Sequence, residues 1–435
     1  MRLHARMLVL LACCFGIVRA ATAQEQKPLP FRTAVELALR NSAASGISRA
    51  DLQRARASVK QARDFFLPSM IFGSGLGGSY GFPLSLEGAA PSIFNVNLQE
   101  GLLNFAQKEN VNAAKADVET TAAQNADRKN EVIMETALCY MQLDLLDSSL
   151  SVQREQQQAA AKYQDIASQR VQAGLDSQVE MTRAKLAVAR TKLDIAQAQA
   201  AADQLRLRLS QLTGLPVKSI QTVTESIPRL PEVSQDQDLP SQAAQNNLTV
   251  KIAEDAAMAK DFKARAERKQ LYPAVDIVGQ YAVLARFNNY DQFFQKFQRH
   301  NVTAGVAIRF PFLNPVQHAT AEAARFDANK AREEAINVKQ QVSTETLKLQ
   351  RSVEQLAAAR EVADLEHQLA QADIEATQAK IESGGASLKD AQNAIVTEHE
   401  RYTAYLNSTF ELDKAQVQLL RQVGDLEGWA LGPKR

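Results

Sequence analysis

A chain of 435 residues with 50 basic and 49 acidic side chains has no charge surplus for gripping a polyanion, which excludes a general nucleic-acid partner. The length would allow two or three ordinary domains. Yet only 6% of the residues are aromatic while Ala and Gln abound, a composition that suits long helices better than thick globular cores.

The chain opens Met1-Arg-Leu-His-Ala-Arg6, runs apolar from Met7 to Val18 and reaches Ala21-Thr22-Ala23 before Gln24. A basic start, a short apolar core and a small-x-small site read as a secretory signal over residues 1–23. The apolar run is too short for a membrane helix. Leu10-Leu11-Ala12-Cys13 also resembles a lipoprotein cleavage box. Cleavage after Ala23 would leave Cys139 as the one cysteine, so an exported chain has no internal disulfide and must be held by packing or by assembly.

The mature chain reads as two copies of one unit: helix, strand, strand, very long helix, turn, long helix. Asn41 precedes Pro68 by 27 positions (68 − 41), and Asn246 precedes Pro273 by 27 (273 − 246). Leu103-Asn104 matches Leu313-Asn314 at an offset of 210 (314 − 104), and Gly174 matches Gly384 at the same offset (384 − 174). The first copy takes residues 24–214, a connector with Pro216, Pro228 and Pro231 takes 215–240, the second copy takes 241–428, and a short tail takes 429–435.

Two stretches in each copy alternate with period 2. Met70, Phe72, Leu76, Tyr80 and Phe82 alternate with Ile71 and a series of Gly and Ser; Phe94, Val96 and Leu98 alternate with Asn95, Asn97 and Gln99. In the second copy Val275, Ile277, Tyr281 and Val283 share one parity, and Val302, Ala304, Val306, Ile308 and Phe310 alternate with Thr303, Gly305, Ala307 and Arg309. One face is apolar and the other small or polar, and lengths near ten residues suit a transmembrane β-strand. A half-buried soluble sheet has the same pattern. Four strands cannot close a membrane barrel, because an open edge in lipid leaves backbone N–H and C=O groups unpaired. Strands in a membrane would therefore require several chains to share one barrel, and three chains would give a twelve-stranded wall. The loops 288–301 and 81–91 would then lie outside.

From Asn104 to Gln172 there is no Pro and no Gly, and strong helix formers dominate. Such a helix would span about 100 Å at ~1.5 Å per residue. Val132, Ile133, Leu138, Met141, Leu145 and Leu146 recur at helical spacing, and Ala pairs such as Ala113-Ala114, Ala122-Ala123 and Ala159-Ala160-Ala161 predict a thin seam between closely packed helices. Charges every few residues exclude a membrane span. A tight turn, Ala173-Gly174-Leu175-Asp176-Ser177, leads into a second long helix ending near Thr213.

Motifs that carry chemistry fail on context. Gly73-Ser-Gly75-Leu-Gly-Gly78 satisfies a dinucleotide pattern, but it lies inside an alternating strand with no helix after it. His300, His318, His367 and His399 have no metal-ligand spacing to one another or to Cys139. No Ser elbow, P-loop or Cys/His arrangement is present. The expectation is a non-enzyme with no cofactor and no metal.

The chain resembles the TolC-like outer-membrane efflux proteins (outer membrane factors). The resemblance rests on the repeated layout and on four local matches: Ala34-Val35-Glu36-Leu37-Ala38-Leu39-Arg40-Asn41, the strand entries Leu67-Pro68 and Tyr272-Pro273, the strand exit Pro311-Phe312-Leu313-Asn314, and the turn Arg170-Val171-Gln172-Ala173-Gly174-Leu175. It implies a mainly α fold with a membrane β-barrel part. Three chains would form an α-helical periplasmic tunnel and a shared twelve-stranded barrel in outer-membrane lipid. It further implies the exit duct of a tripartite efflux or type I secretion system, with a periplasmic adaptor and an inner-membrane pump as partners. The competing reading is a soluble periplasmic or surface coiled-coil scaffold.

The resemblance also assigns residues. Arg170, Gly174 and Leu175 fit the family's adaptor-docking tip, and Lys380 and Gly384 correspond in the second copy, where Gly385 replaces the usual apolar residue. Glu180 and Asp390 match acids that narrow the periplasmic aperture, while Asn393 and Ala386 stand where the family has a further acid and its Arg partner. Ser177-Gln-Val-Glu180 and Ser387-Leu-Lys-Asp390 also have capping-box spacing.

Overall fold

The computed structural model describes residues 28–75, 92–175, 177–233, 238–284, 298–383 and 385–432. The secretory-signal reading, the lipoprotein box at Cys13, Gly384, and most of both proposed outer loops lie outside the described residues.

The entry helix expected in each copy is two helices. In the first copy α1 (Phe31–Asn41) and α2 (Ala43–Asp64) break at Ser42, whose extended backbone lets its side chain accept the N–H of Ser45. In the second, α5 (Leu239–Asn246) and α6 (Leu248–Lys269) break at Asn247, whose side chain accepts from Thr249 N. Ser and Asn at an N-cap compete with the helix for its own first donors, so a pattern of uninterrupted apolar spacing conceals the break.

The hairpins follow: β1 (Ser69–Gly75) and β2 (Ser92–Leu103), then β3 (Ala274–Leu284) and β4 (His300–Arg309). They form one antiparallel sheet in the order β1-β2-β3-β4. Each hairpin feeds a 68-residue helix, α3 (Phe105–Gln172) and α7 (Pro315–Glu382), and each of these a 36-residue helix, α4 (Gln178–Thr213) and α8 (Leu388–Val423). With α2 and α6 both 22 residues long, the copies match helix for helix after the entry break. The same side-chain contact recurs in both: Gln107 Nε2 donates to Ala62 O (2.8 Å), and Gln317 Nε2 donates to Glu267 O (2.9 Å). A short α9 (Leu426–Leu431), which includes Trp429, ends the described chain.

Contacts divide the chain into two compact units, residues to Leu39 with Glu135–Arg229, and Arg40–Met134 with Leu230–Arg435. In the first, Phe31 meets Tyr140 edge to face at 5.4 Å, over a core that includes Val35, Leu143 and Leu209. The Tyr140 hydroxyl donates to Leu29 O (2.6 Å) and accepts from Val223 N (2.7 Å), which ties the N-terminal segment and the connector to α3. The connector itself carries two 3-10 turns, Val217–Ser219 and Thr224–Ser226. In the second unit α7 packs against α8, α6 and α5, with Val250, Val342, Val353, Leu412, Leu419 and Val423 in the seam. Alanines fill much of the contact, as expected: Ala113, Ala123, Ala137, Ala184 and Ala202 are buried. Ala159 and Ala161 are exposed instead, so part of the alanine signal marks a surface that the single chain leaves open.

Candidate functional site

Two features can do work: the sheet, and the helical turns at the far ends of α3 and α7. In the sheet the register aligns the period-2 pattern across strands. Phe72, Val96, Tyr281 and Val302 form one row, and Ile71, Asn97, Gln280 and Thr303 the adjacent one. Directly opposed residues share a face, so the sheet has one side of Met70, Phe72, Val96, Leu98, Ile277, Val306 and Ile308. The other side is small or polar except for Ile71 and Val278. The apolar side is not covered: Met70, Phe72, Val302, Val306 and Ile308 are all exposed. A half-buried soluble sheet would have packed that face on a helix layer. Among the described residues both edges, β1 and β4, lack a further neighbour, so each presents unpaired backbone donors and acceptors. On the polar side Arg309 Nη2 lies 2.6 Å from Asp276, which is only 3% exposed.

The first turn is a helix C-cap. Gly174 sits at φ 71°, where an L-side chain is strained. Its N–H donates to Val171 O (3.1 Å), and that of Leu175 to Arg170 O (2.9 Å). The bonds close the last turn of α3 and leave Leu175 projecting, 68% exposed. The second turn repeats the closing bond: Gly385 N donates to Lys380 O at 2.7 Å. The smaller Gly385 takes the place of Leu175, so this turn has no counterpart to that exposed leucine side chain.

The two acids differ. Asp390 completes a capping box: its Oδ2 accepts from Ser387 N (2.9 Å) and Ser387 Oγ (2.7 Å), while Asp390 N donates to Ser387 Oγ (3.3 Å). The Ser387 backbone N–H holds the Asp390 carboxyl below its ordinary range. Glu180 has the same spacing without the cap. Ser177 makes no side-chain cap bond, and Glu180 pairs with Arg183 at 2.5 Å. An arginine one helical turn on outcompetes the neutral cap for a carboxylate.

Sequence reading missed a second apolar stripe on each pair of long helices. On α4, Ala184, Ile195, Ala202 and Leu209 are buried, while Val179, Leu186, Leu193 and Leu207 are exposed at intervals of seven or a multiple of seven. On α7, Val353, Ala363 and Ala370 are buried, while Val362, Leu365 and Leu369 are exposed. The heptad spacing was legible; that two stripes share one helix is visible only when one is already filled.

His367 Nε2 lies 3.0 Å from Glu398, and Tyr281 OH 3.0 Å or less from His300, at 2.9 Å. Burial pushes the Cys139 thiol up to about 11. Among the described residues no cluster of three or more His, Cys, Asp or Glu could hold a metal, and no helix is long and apolar enough to cross a membrane.

Residues 34–215 match the family described as outer membrane efflux protein. Protein CyaE of Bordetella pertussis is 25% identical over 309 residues, covering 68% of this chain and 64% of its own. The fold matches the Campylobacter jejuni CmeC outer membrane channel at a TM-score of 0.75, with 14% identity over 93% of this chain and 87% of that one. It matches the Vibrio cholerae outer membrane protein VceC at 0.70, with 18% identity over 91% and 96%. Residues 34–215 thus match the outer membrane efflux protein family, and over more than nine-tenths of its length the chain has the fold of these outer membrane channels.

Proposed function

We propose that three copies of this chain form the exit duct of a tripartite efflux or type I secretion system, passing substrate through the periplasm and the outer membrane without chemistry of its own. The observation that carries this is the sheet: four strands, an uncovered apolar face, a polar opposite face and two open edges. In lipid each unpaired edge group costs several kcal/mol, so the wall must be completed by other copies. Two copies would give eight strands, a number whose interior side chains nearly fill; three give twelve and leave a passage. The exposed heptad stripes on α4 and α7 supply the matching helical surface, since each of these two helices has an apolar side still to be covered. The turn at Gly174 and Leu175, with Arg170 beneath it, is the docking tip for a periplasmic adaptor. Lys380 and Gly384 are the weaker second tip. Glu180 and Asp390 border the periplasmic aperture, and no strong ionic lock is built around them, because each is engaged within its own helix. An inner-membrane pump selects the substrate.

The experiment is fractionation followed by mass measurement of the detergent-extracted protein. The duct requires the protein in the outer membrane, resistant to carbonate washing, with the mass of three chains. Release into the soluble periplasm as a monomer would refute it in favour of the coiled-coil scaffold.

A further inference from the structure

The two copies of the repeat do more than resemble each other; one junction inside the chain is a template for a junction between chains. β2 ends the first hairpin and β3 begins the second, and the two pair as Leu98↔Gly279, Gln99↔Val278, Glu100↔Ile277, Gly101↔Asp276 and, after a bulge, Leu103↔Val275. β1 reaches only Gln99 in its own pairing with β2. The last four residues of β2, from Glu100 to Leu103, are therefore held as strand by β3 alone.

The matching segment of the second copy is found by the chain's own offsets. Asn104 and Asn314, which cap α3 and α7, fix 210 for the strand exits, and the entry helices α2 and α6, starting at 43 and 248, fix 205 for the strand entries. Glu100 to Leu103 then correspond to Phe310 to Leu313. Regular strand stops at Arg309, where β3 runs out of residues to pair. Beyond it Phe310 is 70% exposed, Phe312 100% and Leu313 85%, an arrangement with no shelter in the single chain. On the other edge Met70, Ile71 and Phe72 are equally bare, whereas their counterparts in β3, Val275, Asp276 and Ile277, are partly or fully buried.

We propose that β4 of one copy receives β1 of a partner copy in the register that β2 and β3 hold within one chain. Resting on the trimeric duct above, this sets Ile308 opposite the partner's Ser74, Arg309 opposite the partner's Gly73, Phe310 opposite the partner's Phe72 and Leu313 opposite the partner's Met70. Three observations support it. The apolar parity agrees: Ile308 lies on the same face as Phe72 and Met70 in the existing sheet, and Phe310 continues its parity beyond the strand end, and a slip by one residue would put every side chain on the wrong face. Pro311 falls where Gly101 starts the bulge in β2, a position at which the missing N–H of proline is tolerated. Gly73 faces Arg309, so the partner strand opposes no side chain of its own to the arginine that pairs with Asp276 within its chain.

The test is register-specific disulfide trapping in isolated outer membranes. Phe72→Cys with Phe310→Cys places two Cα atoms within the ~4.4–6.8 Å that a disulfide spans. Phe72→Cys with Ile308→Cys separates them by a further two residues, about 6.6 Å along the strand. Ser74→Cys with Ile308→Cys is a second in-register pair. Mild oxidation should link both in-register pairs into covalent dimers and closed trimers on a non-reducing gel, with at least a tenfold lower yield from the slipped pair. Mass measurement of each detergent-extracted variant accompanies the gel. Trimers in which the slipped pair links as well as the others, or in which neither in-register pair links, would overturn the register and leave the duct standing. Monomers for every variant would overturn both.

Discussion

Leu175 is the side chain whose removal would separate folding from the proposed docking most cleanly. It projects from the turn after α3, 68% exposed, and its N–H rather than its side chain closes the helix. Leu175→Ser therefore costs the fold within about 0.5 kcal/mol, as for other exposed positions. If an adaptor covers it, the lost burial is about 1.5–3 kcal/mol per tip, or roughly ten- to hundred-fold in affinity at ~1.4 kcal/mol per tenfold. Three tips per assembly compound the loss. Gly174 gives an independent handle. No atom lies within 4 Å of a Cβ placed there, so the cost of Gly174→Ala is the left-handed backbone alone, about 1–2 kcal/mol. Gly174→Asn tolerates that backbone, and Gly174→Asp differs from it chiefly by a negative charge at the negative end of α3. The assay is export of a reporter substrate by cells, alongside the amount of trimer in the outer membrane on an unheated gel. Transport should fall for Leu175→Ser and Gly174→Asp and hold for Gly174→Asn, with trimer unchanged in all three. Full transport by Leu175→Ser at normal trimer levels would refute docking at this turn.

Tyr140→Phe keeps the edge-to-face contact with Phe31 but orphans Leu29 O and Val223 N. At ~1–3 kcal/mol for each buried unpaired group it should speed hydrogen exchange in residues 217–229 by at least tenfold, read by mass spectrometry. Burial raises Asp413 to about 6, against a nearby Arg360 that lowers it. The fold thus favours the protonated acid, and the cost of ionising it appears as pH rises from the unfolded value near ~4 and is complete above about 6. Asp413→Asn should raise stability at pH 7.5 by on the order of 2–3 kcal/mol and change little at pH 4, measured by thermal melting in detergent. Leu193→Lys on the exposed stripe of α4 should leave the helical circular dichroism of the chain intact while shifting trimer to monomer; trimers of normal thermal stability would remove the stripe from the interface.

The long helices and the strands were legible because their signals are redundant. Sixty-eight residues without Pro or Gly can be little else than helix, and the described parts of four alternating stretches form one aligned sheet, with Leu76, Tyr80 and Phe82 of the first outside the described residues. The breaks at Ser42 and Asn247 were not legible, because a single capping side chain overrides an otherwise continuous helical pattern. The turns were legible in their glycines, yet the spacing of Ser177 and Glu180 matched that of Ser387 and Asp390 and gave no sign that only the second pair would cap. Arg183, three residues beyond Glu180, decides that difference. The exposed stripe on α4 escaped notice for another reason. Its residues are spaced as a core, and a sequence does not say which of two opposed cores the chain fills by itself.

The equal helix lengths of the two copies carry a constraint on how such a chain can change. Inserting one residue into α3 or α7 would turn everything beyond it by about 100°, moving the filled stripe to solvent and the open one into the neighbouring helix. Past the entry break the copies differ in length by five residues, and that difference falls between strand entry and strand exit of the second hairpin (314 − 273 against 104 − 68). Length can drift at the strand tips and not along the long helices, so foreign peptides grafted between β3 and β4 should be carried silently, while a lone extra alanine in the middle of α3 or α7 should not.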